Sequence, residues 1–236
     1  MNSKLVFWTA FNCYQSSKLL RGKPRGTVHP VTTAAWTRRR VELFTRYNLP
    51  SILSQTHEDF LYLVLCDPQL RHLTDPYFTK PFDPRVVFVY EDGPGLALIH
   101  QYDEIVQALI DSDDMYSREA GALMMACPEP WMYFRRGYAL EERRGRLWEY
   151  DTIGSGPFWA RKINPKEIRS FDREKRHPTH KAVIDFRPRE LPAGRFCVLL
   201  HDVNTSSTPH MRYVLPKAAD PKILSREFGL RPRGKK

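Results

Sequence analysis

The chain has 236 residues, 42% of them hydrophobic, 12% aromatic and 27% charged. That composition excludes a disordered chain, and the length suits one elaborated α/β domain with a core that needs no disulfide staples. The formal net charge of +10 points to polyanionic partners such as nucleic acid, an anionic membrane surface or phosphorylated ligands, or to no more than a basic solvated face.

The opening residues 1–10 (MNSKLVFWTA) carry no extended apolar region and no small-residue cleavage site, so no signal peptide is expected. No stretch approaches the ~20 apolar residues of a membrane span. Cys13, Cys66, Cys127 and Cys197 form no CxxC pair, and three of them sit in apolar surroundings. Buried free thiols, a reducing cytoplasm (bacterial, or a phage-infected host cell) and no zinc site follow as expectations.

In chain order, residues 4–9 (KLVFWT) predict a first strand, and the Ser-, Gly-, Pro- and Lys-containing stretch 15–33 a loop. Trp36, Val41, Phe44 and Tyr47 recur at helical spacing, with the arginines 38–40 assigned to the opposite face. Pro50 interrupts that helix, and Ser51-Ile52-Leu53 begins another. Residues 60–66 (FLYLVLC) are almost continuously apolar, as in a strand covered on both faces, and end at Asp67-Pro68. Residues 85–90 (RVVFVY), running into Glu91–Gly95, and 105–110 (IVQALI), ending at an acidic cluster, repeat the pattern. A helix over 117–127 follows, with Ala120, Leu123, Met124 and Cys127 on one face. This alternation argues for a doubly wound α/β fold. Next come a hairpin of 131–140 and 146–152 around a polar 141–145 connection, a strand at 158–161, and a short helix over 164–171 with Asn164 as cap. A last strand at 195–200 ends at His201. No internal repeat is visible. Residues 1–216 read as one domain, with a nucleotide-binding half (1–115), an acceptor-binding half (116–216), and a basic tail at 217–236.

Ligands of open α/β sheets bind beyond the carboxyl ends of the strands, where both Asp67 and Asp111 fall. Asp111-Ser112-Asp113-Asp114 packs three carboxylates into four residues. Such a cluster suits a solvated turn that caps the next helix, or a hard cation such as Mg²⁺ or Mn²⁺ that neutralises a departing diphosphate. An EF-hand loop is excluded, because the required Gly and Glu do not follow. Gly154-Ser155-Gly156-Pro157-Phe158-Trp159 lets backbone approach a sugar with Trp159 stacking on it, or forms a turn before a core tryptophan.

Two segments together resemble family 2 glycosyltransferases. One is Ser51-Ile-Leu-Ser-Gln-Thr-His-Glu-Asp-Phe60 with its apolar strand to Asp67; the other is Ala108-Leu-Ile-Asp-Ser-Asp-Asp-Met115. Arg-Val-Glu-Leu-Phe at 40–44, Tyr-Asn-Leu-Pro-Ser at 47–51 and Leu-His-Asp-Val-Asn at 200–204 are similar to its rhamnosyltransferase group. The resemblance implies a GT-A (Rossmann-like) fold, with a mostly parallel central sheet and a smaller antiparallel C-terminal part. It also implies a nucleoside-diphosphate sugar donor, a UDP-sugar first, and Mn²⁺ or Mg²⁺. By carry-over Asp67 contacts the base and Asp111 the ribose or metal; Ser112 in the same turn, and Trp159 on the stacking reading of its glycine-rich segment, are added to the donor site. Asp113 ligates the metal, with Asp114 in support and a late histidine, His201, completing the set. The chain departs from the family in Asp67-Pro68-Gln69 where Asp-Gly-Ser is usual, and it lacks the Ala-Arg-Asn segment and an evident Glu-Asp pair. His180 and Asp172 are left as candidates for the catalytic base. The acceptor is a surface or lipid-linked glycan or a hydroxylated DNA base; a nucleic-acid-binding chain with a vestigial site is the alternative.

Overall fold

The computed structural model describes residues 2–12, 32–78, 82–152, 158–171, 186–201 and 214–230. The first strand, β1 (Ser3–Ala10), is buried on both sides: Leu5 and Phe7 enter one core, Val6 and Trp8 another. Helix α1 (Ala34–Leu43) starts at Thr33, whose hydroxyl accepts the Trp36 N–H at 3.2 Å. It does not break before Pro50. It widens into a π turn (Phe44–Asn48), where the Leu49 N–H reaches back five residues to the Phe44 carbonyl, and continues as α2 (Leu49–Leu53). The missing Pro50 N–H is absorbed in that wider turn, so the helical turns run on past it.

Strand β2 (Phe60–Leu65) leads through a 3₁₀ turn (Pro68–Leu70) into α3 (Arg71–Phe78), then β3 (Val86–Val89) and α4 (Asp92–His100). Neither α3 nor α4 is expected from the sequence pattern. β4 (Glu104–Leu109) alternates like β1, with Val106 and Ala108 on one face and Ile105 and Leu109 on the other. β5 (Met115–Tyr116) and α5 (Ala120–Ala126) follow the acidic cluster.

The predicted hairpin arm over 131–140 is two strands. β6 (Trp131–Tyr133) belongs to one sheet, and β7 (Arg136–Glu141) pairs with β8 (Arg146–Asp151) in another. β9 (Trp159–Ile163) is followed by only a 3₁₀ turn (Pro165–Glu167) in place of a helix to 171; Asn164 caps it, accepting the Lys166 N–H. β10 (Arg189–Glu190), β11 (Phe196–Leu200), β12 (Val214–Ala218) and α6 (Lys222–Phe228) complete the described chain. The expected tail from 217 is therefore corrected: its first part ends a strand and forms a helix, because Phe228 is fully buried beside Leu43, Leu140 and Leu199.

The protein is mixed α/β with a mostly parallel central sheet, in the order β10-β6-β9-β4-β1-β2-β3. β9 alone runs against its neighbours. A smaller sheet, β12-β8-β7-β11-β5, is antiparallel except where β11 meets β7. Since β6, β9 and β10 join the large sheet, the two halves drawn at residue 115 share one sheet. Cys66, Cys127 and Cys197 are buried free thiols. No helix among the described residues is long and apolar enough to cross a membrane. The expected loop at 15–33 falls almost wholly outside the described residues.

Candidate functional site

Strand order reverses at β1: β2 and β3 lie to one side and β4 to the other. In open α/β sheets the crevice at such a point, beyond the carboxyl ends of the strands, is where ligands bind. Asn12, Asp67 and the Asp111–Asp114 turn all stand there, just past β1, β2 and β4. Asp67 is buried and caps the 3₁₀ turn, accepting the Gln69 N–H at 2.9 Å, while its own N–H donates to Asn12 Oδ1 at 3.0 Å. Asn12 Nδ2 is buried and has no hydrogen-bond partner among the described residues. It is a donor left over at the crevice.

The acidic turn is held from three sides. Within it, the Asp114 N–H donates to the Asp111 carbonyl at 3.0 Å. From the π turn, buried Asn48 donates through Nδ2 to the Asp111 and Asp114 carbonyls at 3.1 and 2.9 Å, and its Oδ1 accepts the Tyr62 hydroxyl. From α1, Arg40 gives Nε to Ser112 Oγ at 2.9 Å, and its two terminal nitrogens to Asp113 Oδ2 and Oδ1 at 2.5 and 2.7 Å. From β11, the Leu199 N–H donates to Asp114 Oδ1 at 2.9 Å, and His201 Nε2 lies 2.5 Å from Asp113 Oδ2. Arg40 is thus buried against the acidic turn, which corrects its assignment to a solvated helix face.

The two adjacent carboxyls are driven apart. Burial opposes charge on Asp113, but the Arg40 guanidinium and His201 outweigh it and hold the group down at about 2. Burial, and then the charges of Asp113 and Asp111, push the Asp114 carboxyl far above the ordinary carboxylate range. Asp113 is thus favoured as the charged carboxylate, while ionisation of Asp114 is opposed. An ionised Asp113 only accepts hydrogen bonds, so His201 Nε2 carries a proton toward it.

The structure brings Asp113 and His201 together but turns Asp114 inward to the β11 backbone. As arranged, these residues do not fit a divalent ion. Arg40 takes both oxygens of Asp113, His201 Nε2 already stands against one of them, and Asp114 Oδ1 is spent on the Leu199 N–H. No three His, Cys, Asp or Glu side chains among the described residues are grouped to hold a metal. Trp159 is also displaced from its expected role: it is 1% exposed, packed with Trp8 and Trp131 in the core behind the sheet, so no ring face meets a sugar. His180 and Asp172 lie outside the described residues.

Three site residues escape the sequence reading. Arg40 and Asn48 sit inside the 40–44 and 47–51 segments that carried the resemblance, which was the available signal. Glu142 gave none. It is buried after β7, its N–H on the Leu200 carbonyl beside His201, and its carboxylate accepts Arg39 at 2.9 Å.

No protein-family model matches this sequence, and no curated protein is significantly similar to it. Among solved structures, the glycosyltransferase GlyE of Streptococcus pneumoniae TIGR4 aligns over 86% of this chain at 10% identity and a TM-score of 0.31. The alignment spans 46% of that protein's own chain, a little under half its length. Likeness at that level carries no argument about activity.

Proposed function

We propose that this chain is a glycosyltransferase that moves a sugar from a nucleoside-diphosphate donor to a hydroxyl acceptor. The observation that carries the reading is the Asp111–Asp114 turn in the crevice where strand order reverses, beside Asp67 and Asn12. A nucleotide laid across that crevice meets Asp67 and the Asn12 amide at one end and Asp111 at the other, while Ser112, fully buried on Arg40, supports the turn from behind. The diphosphate then lies toward Arg40, a fixed guanidinium suited to phosphate oxygens. In the reaction the acceptor oxygen bonds to the anomeric carbon as the bond from that carbon to the diphosphate breaks. A general base takes the hydroxyl proton and the nucleoside diphosphate leaves. His180 and Asp172 are the proposed bases. A bound Mn²⁺ or Mg²⁺ would supply charge neutralisation to the diphosphate; because Arg40 and His201 already engage the donor set, no step is routed through it. The finer assignment, a GT-A enzyme of family 2 near the rhamnosyltransferases, rests on the sequence segments at 40–67, 108–115 and 200–204.

Several arginines of the second half are paired locally, which leaves its net basic excess unchanged. Arg135 pairs with Asp151, and Arg144 and Arg146 pair with Glu141. The acceptor is a hydroxyl of a glycan or of a hydroxylated DNA base. The test is to incubate the protein with UDP-, GDP- and dTDP-sugars and follow nucleotide release. Release from one donor, accelerated by a hydroxyl acceptor, is expected. No release from any donor by folded protein, with salt-sensitive DNA binding instead, would identify a nucleic-acid-binding chain.

A further inference from the structure

We propose that Arg40 is the resident cation of this site, occupying the place on Asp113 that a divalent ion would take, so that metal and guanidinium compete for one carboxylate. The geometry leaves Asp113 no vacant oxygen: the fork of Arg40 is bidentate at 2.5 and 2.7 Å, and Oδ2 also meets His201. The Arg40 N–H on Nε is spent on Ser112 at 2.9 Å, so the guanidinium binds the turn through all three of its nitrogens at once. Both partners are buried, Arg40 at 7% and Asp113 at 4% exposure. A buried ion pair with such geometry exchanges reluctantly, since whatever displaces one partner must also solvate or re-pair the other.

Arg40 is also fixed from behind. Its guanidinium carbon lies 5.7 Å over the Trp36 ring, and its neighbours Val41, Leu43 and Phe44 anchor α1 and the π turn in the core. The preceding residue, Arg39, is tied to Glu142. A positive charge held in place before any ligand arrives costs no reorganisation when negative charge develops beside it. Arg40 is thereby a positioning and charge-neutralising residue, and the site carries its countercharge without an ion. The proposal rests on the transferase reading only for what that charge serves. The competition itself is a property of Arg40 and Asp113, and it is tested with neither donor nor acceptor present.

The experiment titrates Mn²⁺ alone into the protein and reads free and bound ion by electron paramagnetic resonance. Arg40→Gln should bind Mn²⁺ at least about tenfold more tightly than wild type, and Arg40→Gln with Asp113→Asn should lose the gain. Equal affinity in wild type and Arg40→Gln would overturn the proposal, as would a gain that survives removal of Asp113. Thermal unfolding reports whether the variants fold. If Arg40→Gln does not, Arg40→Lys replaces it: a point charge cannot hold both oxygens, so Mn²⁺ affinity should still rise, and an unchanged affinity would overturn the proposal. Nucleotide release by wild type is measured separately, both with added Mn²⁺ and with a chelator. Metal competition with no release would sink the transferase reading and leave the Arg40 assignment standing.

Discussion

Asn48 is the residue whose removal should most directly loosen the acidic turn. It is fully buried, and its amide joins the acidic turn, through the Asp111 and Asp114 carbonyls, to the Tyr62 hydroxyl of β2. Asn48→Ala removes all three hydrogen bonds and fills none of the space. Each bond contributes about 1 kcal/mol net, and a buried partner left unsatisfied costs about 1–3 kcal/mol, so the expected loss is about 3–5 kcal/mol. Urea unfolding followed by tryptophan fluorescence measures it. Tyr62→Phe alone should cost about 1 kcal/mol, and the double variant should cost less than the sum, because the hydroxyl stranded by the first change is absent in the second. A loss below about 0.5 kcal/mol for Asn48→Ala, the size of an ordinary surface change, would refute the claim that Asn48 holds the turn.

Asp114→Asn should stabilise the protein, and increasingly so as pH rises. The folded Asp114 carboxyl titrates far above its unfolded value, so its contribution is fully present below about pH 4 and is lost at higher pH, whereas Asn does not ionise. The difference in melting temperature between variant and wild type should therefore grow from pH 4 to pH 8; a shrinking difference would contradict the assignment. Gly137 lies where β7 meets β11, and a Cβ there would stand 2.5 Å from the Phe196 carbonyl oxygen. Gly137→Ala should cost about 1–3 kcal/mol in denaturant unfolding. Phe228→Ala should cost about 3–5 kcal/mol if α6 is part of the core, and almost nothing if residues past 216 were a detached tail.

Strands β1, β2 and β4 of the large sheet were readable because they sit between two apolar layers. A strand buried on both faces needs apolar side chains at every position, and that leaves a continuous run of strand length in the sequence. Helices α3 and α4 were not readable. In α3, an eight-residue helix, only Thr74 is buried, and Asp75-Pro76 inside it reads as a turn. In α4, Gly93, Pro94 and Gly95 spell a turn. Pro94 sits where a helix start leaves N–H groups unpaired in any case, and Gly95 is demanded by the Phe171 ring, 2.5 Å from where a Cβ would stand. The split of β6 from β7 lies in a change of sheet at residues 134–135, which no local pattern records.

The site divides in the same way. Asp67 and Asp111 were legible because the end of an apolar run is visible in one dimension. The Arg40–Asp113 pair was not, because it joins residues 73 positions apart, and an arginine on a helix is assigned to solvent until a buried partner is known. Trp159 was open to either reading, since a tryptophan beside glycines packs a core as readily as it stacks on a sugar.

The central claim is that the crevice beyond β1, β2 and β4 binds a nucleoside diphosphate. Isothermal titration with UDP, GDP and dTDP tests it without needing an acceptor. Saturable binding of at least one of them, weakened at least about tenfold by Asp111→Ala at unchanged thermal stability, is the expected result. Folded protein that binds none of the three, or that binds one equally well after Asp111→Ala, would contradict it.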